Sequence, residues 1–345
     1  MALIQSFLLL SAGVVLLLLA GDTLVRGSAA LARKWGIPPL IVGLTIVAFG
    51  TSAPELVVSI QAVLTGVSEL AIGNVVGSNI ANVLLVLGVP ALLMAIPTNV
   101  AGVGRNSAVA VVATLILIVL ILLPGPLVMW HGAILFAGIV IYLAWMFGLA
   151  KAGADDPALH DMADIDAMEG LPKKMWVTIV FIVFGIAGLA FGGDLIVKNA
   201  TIIAESLNVG KEIIGLTIVA IGTSLPELAT VMVAAWRGQT EMAIGNVLGS
   251  NVFNIFAVMG AAALVGNVSV PDGFNYFDIW VMLAAIIALT VFVLRRAPIS
   301  KKTGIVFLLG YALYIGATVK FALKKPEAVD AFNNAVPMLQ AVLGA

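Results

Sequence analysis

Of the 18 acidic residues in the chain, only Glu55 and Glu227 fall well inside long apolar stretches. An ionised carboxylate in such surroundings is costly unless a partner offsets it. No Lys or Arg lies within a helical turn of either, so a cation from solution is the natural counter-charge. Each glutamate follows a proline, Pro54 or Pro226, and sits one turn after Thr51 or Thr223. That spacing places a hydroxyl and a carboxylate on one helix face. Proline removes an N–H from the turn, so carbonyls near Ala48, Thr51, Ala220 and Thr223 need another partner in lipid, and an ion supplies one.

A second pattern follows the same logic. Gly77-Ser78-Asn79 and Gly249-Ser250-Asn251 are expected to open a helix, with Asn82 and Asn254 four residues beyond each serine. Ser and Asn then present oxygens on one face, and nearby glycines let helices approach closely. The donor set is oxygen only. Calcium, which takes about six to eight oxygens in a flexible shell, suits it better than zinc or copper, and sodium accepts the same oxygens. Calcium neutralises two carboxylates, whereas an empty site leaves two buried negative charges close together and resists crossing the membrane. The chain has no cysteine, and its only imidazoles are His131 and His160, which excludes disulfides, thiolate metal sites and a Cys nucleophile.

The elements that must hold these groups are membrane helices. The 345 residues are 62% hydrophobic and 10% charged, with a mean hydropathy of +1.17, outside the range of soluble domains. A net charge of −1 without a basic patch makes nucleic acid an unsuitable partner. Apolar stretches long enough to span fall at 3–25, 37–60, 70–95, 106–124, 131–149, 175–197, 211–235, 243–265, 279–294 and 304–321. The first is read as a span and not a signal peptide, because no Lys or Arg precedes it. The loops after odd-numbered spans hold 12 of the 17 basic residues, which places them in the cytoplasm and both termini outside.

These spans are organised by an internal repeat. Residues 21–88 align without a gap to 193–260 at a constant offset of 172 (227 − 55 = 172), with 31 of the 68 positions identical. The strongest blocks are IVGLTIVAFGTSAPEL against IIGLTIVAIGTSLPEL, and AIGNVVGSNIANVLLVLG against AIGNVLGSNVFNIFAVMG. Five spans separate each element from its copy. Five is odd, so the copies cross the membrane in opposite senses, an arrangement typical of transporters that alternate access around a midplane site. The expected fold is therefore an all-α polytopic membrane protein of ten helices in two inverted five-helix repeats, at 1–149 and 175–325. An acidic cytoplasmic linker at 150–174 joins them, and a tail follows at 326–345. The linker's Asp155, Asp156, Asp161, Asp164, Asp166 and Glu169 lack calcium-loop spacing and read as a solvated connector.

The paired G-T-S-x-P-E and G-N-x-x-G-S-N motifs resemble the alpha repeats of the calcium/cation antiporter superfamily, especially its prokaryotic sodium/calcium exchangers. The resemblance covers nearly the whole chain. It implies ion-binding roles for Glu55, Glu227, Thr51, Thr223, Ser52, Ser224, Ser78, Ser250, Asn82 and Asn254, with backbone carbonyls at Ala48 and Ala220. It also implies calcium and sodium as transported ions, no enzyme activity and no resident cofactor. Location in a plasma (inner) membrane follows from it as well, with the lipid bilayer as surroundings and no protein partner. Some relatives, potassium-dependent exchangers among them, carry Asp at the position of Asn254. Two asparagines here argue against potassium co-transport and leave two formal negative charges in the site.

Other roles compete for several of these residues. Serine hydroxyls can bond back to a carbonyl one turn earlier, and the inner asparagines can tie helices together. Asn79 and Asn251 read as structural caps. Asp22 and Asp194 read as local ion pairs with Arg26 and Lys198. Glu69 and Glu241 read as first-turn dipole partners, and Trp35, Trp130, Trp176, Trp236 and Trp280 as interfacial anchors. A calcium/proton exchanger on the same scaffold remains open. An intramembrane aspartyl protease fails because position 191 is Phe in Phe191-Gly192-Gly193-Asp194 and the inverted repeat has no purpose there, while duplicated broken helices around a carboxylate-rich midplane suit alternating access better than a passive channel.

Overall fold

The computed structural model describes residues 2–152, 170–206, 220–270 and 277–322. The front of the seventh expected span, most of the acidic linker and the C-terminal tail lie outside the described residues. What is described is helical, with no strand among the described residues beyond two isolated bridges. The helices are α1 (Ala2–Trp35), α2 (Pro39–Thr51), α3 (Ala53–Leu64), α4 (Glu69–Leu93), α5 (Val103–Leu122), α6 (Met129–Ala152), α7 (Met175–Ser206), α8 (Leu225–Trp236), α9 (Thr240–Val265), α10 (Asp278–Leu294) and α11 (Lys301–Ala322). A three-residue turn, Ala220–Gly222, precedes α8.

Seven of the described helices are long and apolar enough to cross a membrane, and α2 with α3, bent by 43°, makes an eighth. The α8 and α10 helices are shorter and apolar. The protein is thus an integral, multi-pass membrane protein. Trp35, Trp130, Trp176, Trp236 and Trp280 are all exposed close to helix ends, as interfacial anchors require.

The bend between α2 and α3 has a local cause. Ser52 leaves helical geometry at φ −85° and ψ 3°, and Pro54 follows within the first turn of α3. Ser224 does the same before α8, at φ −88° and ψ 2°. Both second segments then close alike. Gly66 (φ 82°) and Gly238 (φ 75°) adopt the left-handed conformation that ends a helix in a Schellman motif. Its two backbone bonds are present in each copy: Gly66 to Val63 and Val67 to Ala62, then Gly238 to Ala235 and Gln239 to Ala234. The bounds of α3 and α8 differ by 172 at both ends (225 − 53 and 236 − 64).

Helices related by that offset run antiparallel where they meet. Along α1 and α7, Leu17 faces Gly192, Leu24 faces Gly185 and Gly27 faces Ile182, so one index rises as the other falls. The α4 and α9 helices cross in the same sense, with Asn82 bonded to Asn251 and Asn254 to Asn79. Small residues make such crossings tight. A Cβ on Gly249 would stand 2.5 Å from the Leu44 carbonyl oxygen, and one on Gly43 would stand 2.6 Å from that of Met242. The α2 and α9 backbones therefore touch with no side chain between them.

The two halves of the sequence interlock. Gly132 of α6 abuts Gly260 and Leu264 of α9, and Gly304 of α11 abuts Gly88 and Ala91 of α4. The isolated bridges repeat this exchange, with Ile96 paired to Ile299 and Leu127 to Val268.

Candidate ion-binding site

The breaks at Ser52 and Ser224 aim α3 and α8 into the centre of the bundle, where their first turns meet α4 and α9. Glu55 and Glu227, each in the first turn after its break, are both fully buried. Ser52, three residues before Glu55, reaches Glu227 and so brings the two first turns together. Thr51, Ser52, Ser78, Asn82, Ser224, Ser250 and Asn254 are buried as well. Thr223 is half-buried, and the side chain of Ala220 lies outside the described residues.

Ser52 Oγ donates to Glu227 Oε1 at 3.2 Å, a bond from one half of the sequence to the other. Asn82 Nδ2 donates to Asn251 Oδ1 at 3.2 Å, and Asn254 Nδ2 to Asn79 Oδ1 at 3.4 Å. Both carboxylate oxygens of Glu55, Glu227 Oε2, Ser78 Oγ, Ser224 Oγ, Asn82 Oδ1 and Asn254 Oδ1 are buried with no hydrogen-bond partner. Buried polar groups are ordinarily paired. A concentration of unpaired oxygens, two glutamates among them, has the donor chemistry of a hard-cation site. Among the described residues no group of three or more His, Cys, Asp or Glu side chains is found.

Three expectations change. Gly77-Ser78-Asn79 and Gly249-Ser250-Asn251 do not open helices; they lie inside α4 and α9, shortly before the wider turns Asn82–Val86 and Asn254–Met259. Asn79 and Asn251 are not caps, because their oxygens accept across the helix crossing. The Ala48 carbonyl already accepts from the Ser52 N–H at 3.0 Å, so the proline does not free it. Pro54 instead withholds an N–H from the carbonyl one turn earlier, that of Gly50.

Two residues of the site were not anticipated. Asn246 Oδ1 accepts from Thr51 Oγ1 at 3.2 Å and from Ser250 Oγ at 3.4 Å. Asn74 Nδ2 donates to Ser59 Oγ at 3.0 Å and to the Glu55 carbonyl at 3.3 Å. Each is the Asn of a G-N-x-x-G-S-N block, so the duplicated motif itself carried the signal. The local pairs Asp22–Arg26 (3.4 Å) and Asp194–Lys198 (2.9 Å) both form, and Asp22 also pairs with Arg237 beyond α8.

Comparison with known proteins gives this geometry a family. The sodium/calcium exchanger protein family matches residues 5–148 and 177–320, stretches that begin 172 residues apart (177 − 5). The chain belongs to the sodium/calcium exchanger family. Proteins similar to it include one named as a putative antiporter, CaxA of Alkalimonas amylolytica, 38% identical over 88% of this chain and 95% of that protein. Another is the sodium/calcium exchanger MaX1 of Methanosarcina acetivorans, 31% identical over 90% of this chain and 97% of its own. A solved structure of the sodium-calcium exchanger NCX_Mj, soaked with sodium and strontium, superposes with a TM-score of 0.75 at 29% identity, covering 91% of this chain and 98% of that one. Membership makes this chain a transporter of the cation/calcium antiport type and sets enzyme chemistry aside.

Proposed function

We propose that the protein exchanges sodium for calcium across the plasma membrane, by alternating access at one midplane site built around Glu55 and Glu227. The observation that carries this reading is the set of buried, unpartnered oxygens shared by α3, α4, α8 and α9. Glu55, Glu227, Ser78, Ser224, Asn82 and Asn254 supply those oxygens. Thr51, Ser52, Thr223, Ser250 and the carbonyls of Ala48 and Ala220 complete the ligand set that the family resemblance implies.

Alternating access asks for two halves that can trade places. The antiparallel meeting of α1 with α7 and of α4 with α9 supports an arrangement of two inverted five-helix halves, as does the recurrence of the serine break at an offset of 172. Ion occupancy gives the exchange its logic. An empty site would carry two buried negative charges through the apolar middle of the protein, whereas a filled one is neutral or nearly so. The excess of Lys and Arg in the odd loops orients both termini outward. The hydroxyls beside each glutamate favour sodium as the coupling ion. Protons, which compete for the same carboxylates, give the alternative coupling.

The test uses vesicles loaded with sodium and reconstituted with the full chain. Radioactive calcium uptake is followed under an outward sodium gradient, and then under proton or potassium gradients. Sodium-driven uptake that is lost in Glu55→Gln is the expected result. Uptake that follows only the proton gradient moves the coupling ion to the alternative, and a Glu55→Gln protein that transports like the wild type overturns the site.

A further inference from the structure

A primary amide has two ends of nearly equal shape and opposite meaning for a cation. Its oxygen attracts the ion and its NH2 repels it, and a half-turn about the last side-chain bond exchanges them. An asparagine therefore serves as an ion ligand only when something fixes which end faces inward. Asn82 and Asn254 are both fully buried and belong to the proposed ligand set, so the question is sharp for each.

We propose that Asn251 and Asn79 are positioning residues, which hold the amides of Asn82 and Asn254 with the oxygen toward the ion. This rests on the site reading above. In each pair the NH2 end is occupied: Asn82 Nδ2 donates to Asn251 Oδ1, and Asn254 Nδ2 to Asn79 Oδ1. In each pair the oxygen end is buried and without a partner. The two pairs exchange under the 172-residue offset (82 + 172 = 254; 79 + 172 = 251), so the same arrangement is reached twice, from different surroundings. Turning either inner amide over would set two carbonyl oxygens face to face and strand a donor in the site. Asn79 is itself oriented, because its Nδ2 donates to Met282 Sδ at 3.7 Å. The position equivalent to Met282 in the other half is Ala110 (282 − 172), which has no sulfur to offer Asn251.

The proposal separates orientation from structural support, because a carboxylate carries an oxygen at both ends and needs no orienting partner. Calcium binding is measured by calorimetry on the purified full chain in sodium-free buffer, for wild type, Asn251→Leu, Asn82→Asp and the double variant. Asn251→Leu is expected to weaken calcium about tenfold when position 82 is Asn, and less than about twofold when it is Asp. The mirror cycle, Asn79→Leu with Asn254→Asp, repeats the measurement independently should Asn251→Leu fail to fold. An equal loss in both backgrounds shows mere structural support and overturns the proposal, as does no loss at all. Glu55→Gln in the same titration distinguishes the two levels. If it binds calcium like the wild type, the site reading falls and this proposal with it. If it loses calcium while the cycles stay additive, only the orienting role is wrong.

Discussion

Glu55 and Glu227 occupy the same place in two copies of one motif, after the same serine break, yet the protein treats them differently. Glu227 accepts a hydrogen bond from Ser52, whereas both oxygens of Glu55 are left without a donor. The neighbours differ in the same direction. Thr51 reaches across to Asn246, while the Ser224 hydroxyl, equivalent to Ser52, has no partner. A duplicated sequence thus does not give a duplicated site. One carboxylate is braced by the fold and the other is not, so a two-fold motif yields two kinds of carboxylate.

The largest effects should come from the carboxylates themselves. Glu55→Gln and Glu227→Gln are each expected to cut calcium uptake by more than about a hundredfold, since a buried charge partner worth roughly 3–5 kcal/mol is removed. Their thermal stabilities without ions should diverge, however. Glu55→Gln relieves an unpartnered buried charge and should raise the melting temperature in calcium- and sodium-free buffer more than Glu227→Gln does. Equal shifts would break the comparison.

Next is the backbone contact that brings α9 against α2. A methyl group at Gly249 meets the Leu44 carbonyl oxygen at 2.5 Å, an overlap that neither backbone can absorb in place. Gly249→Ala should destabilise the fold by about 3 kcal/mol, read as a lower melting temperature, and should pull Thr51 away from Asn246. The serines give a smaller contrast. Ser52→Ala strips Glu227 Oε1 of its donor and should cost about 1–2 kcal/mol in the ion-free protein, against little for Ser224→Ala. In saturating calcium the two variants should converge, because the ion then organises both sides.

The smallest contrast lies away from the site. Asp22 ties α1 to Arg237 as well as to Arg26, whereas Asp194 pairs with Lys198 one turn along its own helix. Both pairs are partly exposed. Asp22→Asn should cost at most about 1 kcal/mol and Asp194→Asn about 0.3–0.5 kcal/mol, with both losses shrinking in high salt.

Much of this was legible in the sequence because duplication doubles every signal. A buried Glu after a Pro is suggestive once; found twice at one offset, it locates the broken segments at Ser52 and Ser224 and the glutamates beyond them. The local pairs of Asp22 and Asp194 followed from i, i+4 spacing. What escaped was whatever depends on a partner distant in the chain. Asn246 meets Thr51 across 195 residues and Arg237 meets Asp22 across 215, and no periodicity encodes either. The wide turns at Asn82–Val86 and Asn254–Met259 escaped for another reason: an apolar run that continues unbroken looks the same whether its turns hold four residues or five. For that reason the Gly-Ser-Asn blocks were misplaced at helix starts.

The interlocked halves bear on how the chain is made. Gly88 on α4 is covered by α11, and the surface of α6 at Gly132 is covered by α9, so each half of the sequence finishes the other. A ribosome delivers residues 1–152 before any of those covering surfaces exist. The nascent first half must therefore wait in the bilayer with bare glycine faces and an unmatched Glu55, and final packing comes only after α11 has been inserted. Insertion of α11 thus completes the packing of α4, and truncations before it should leave a protein that inserts but never matures.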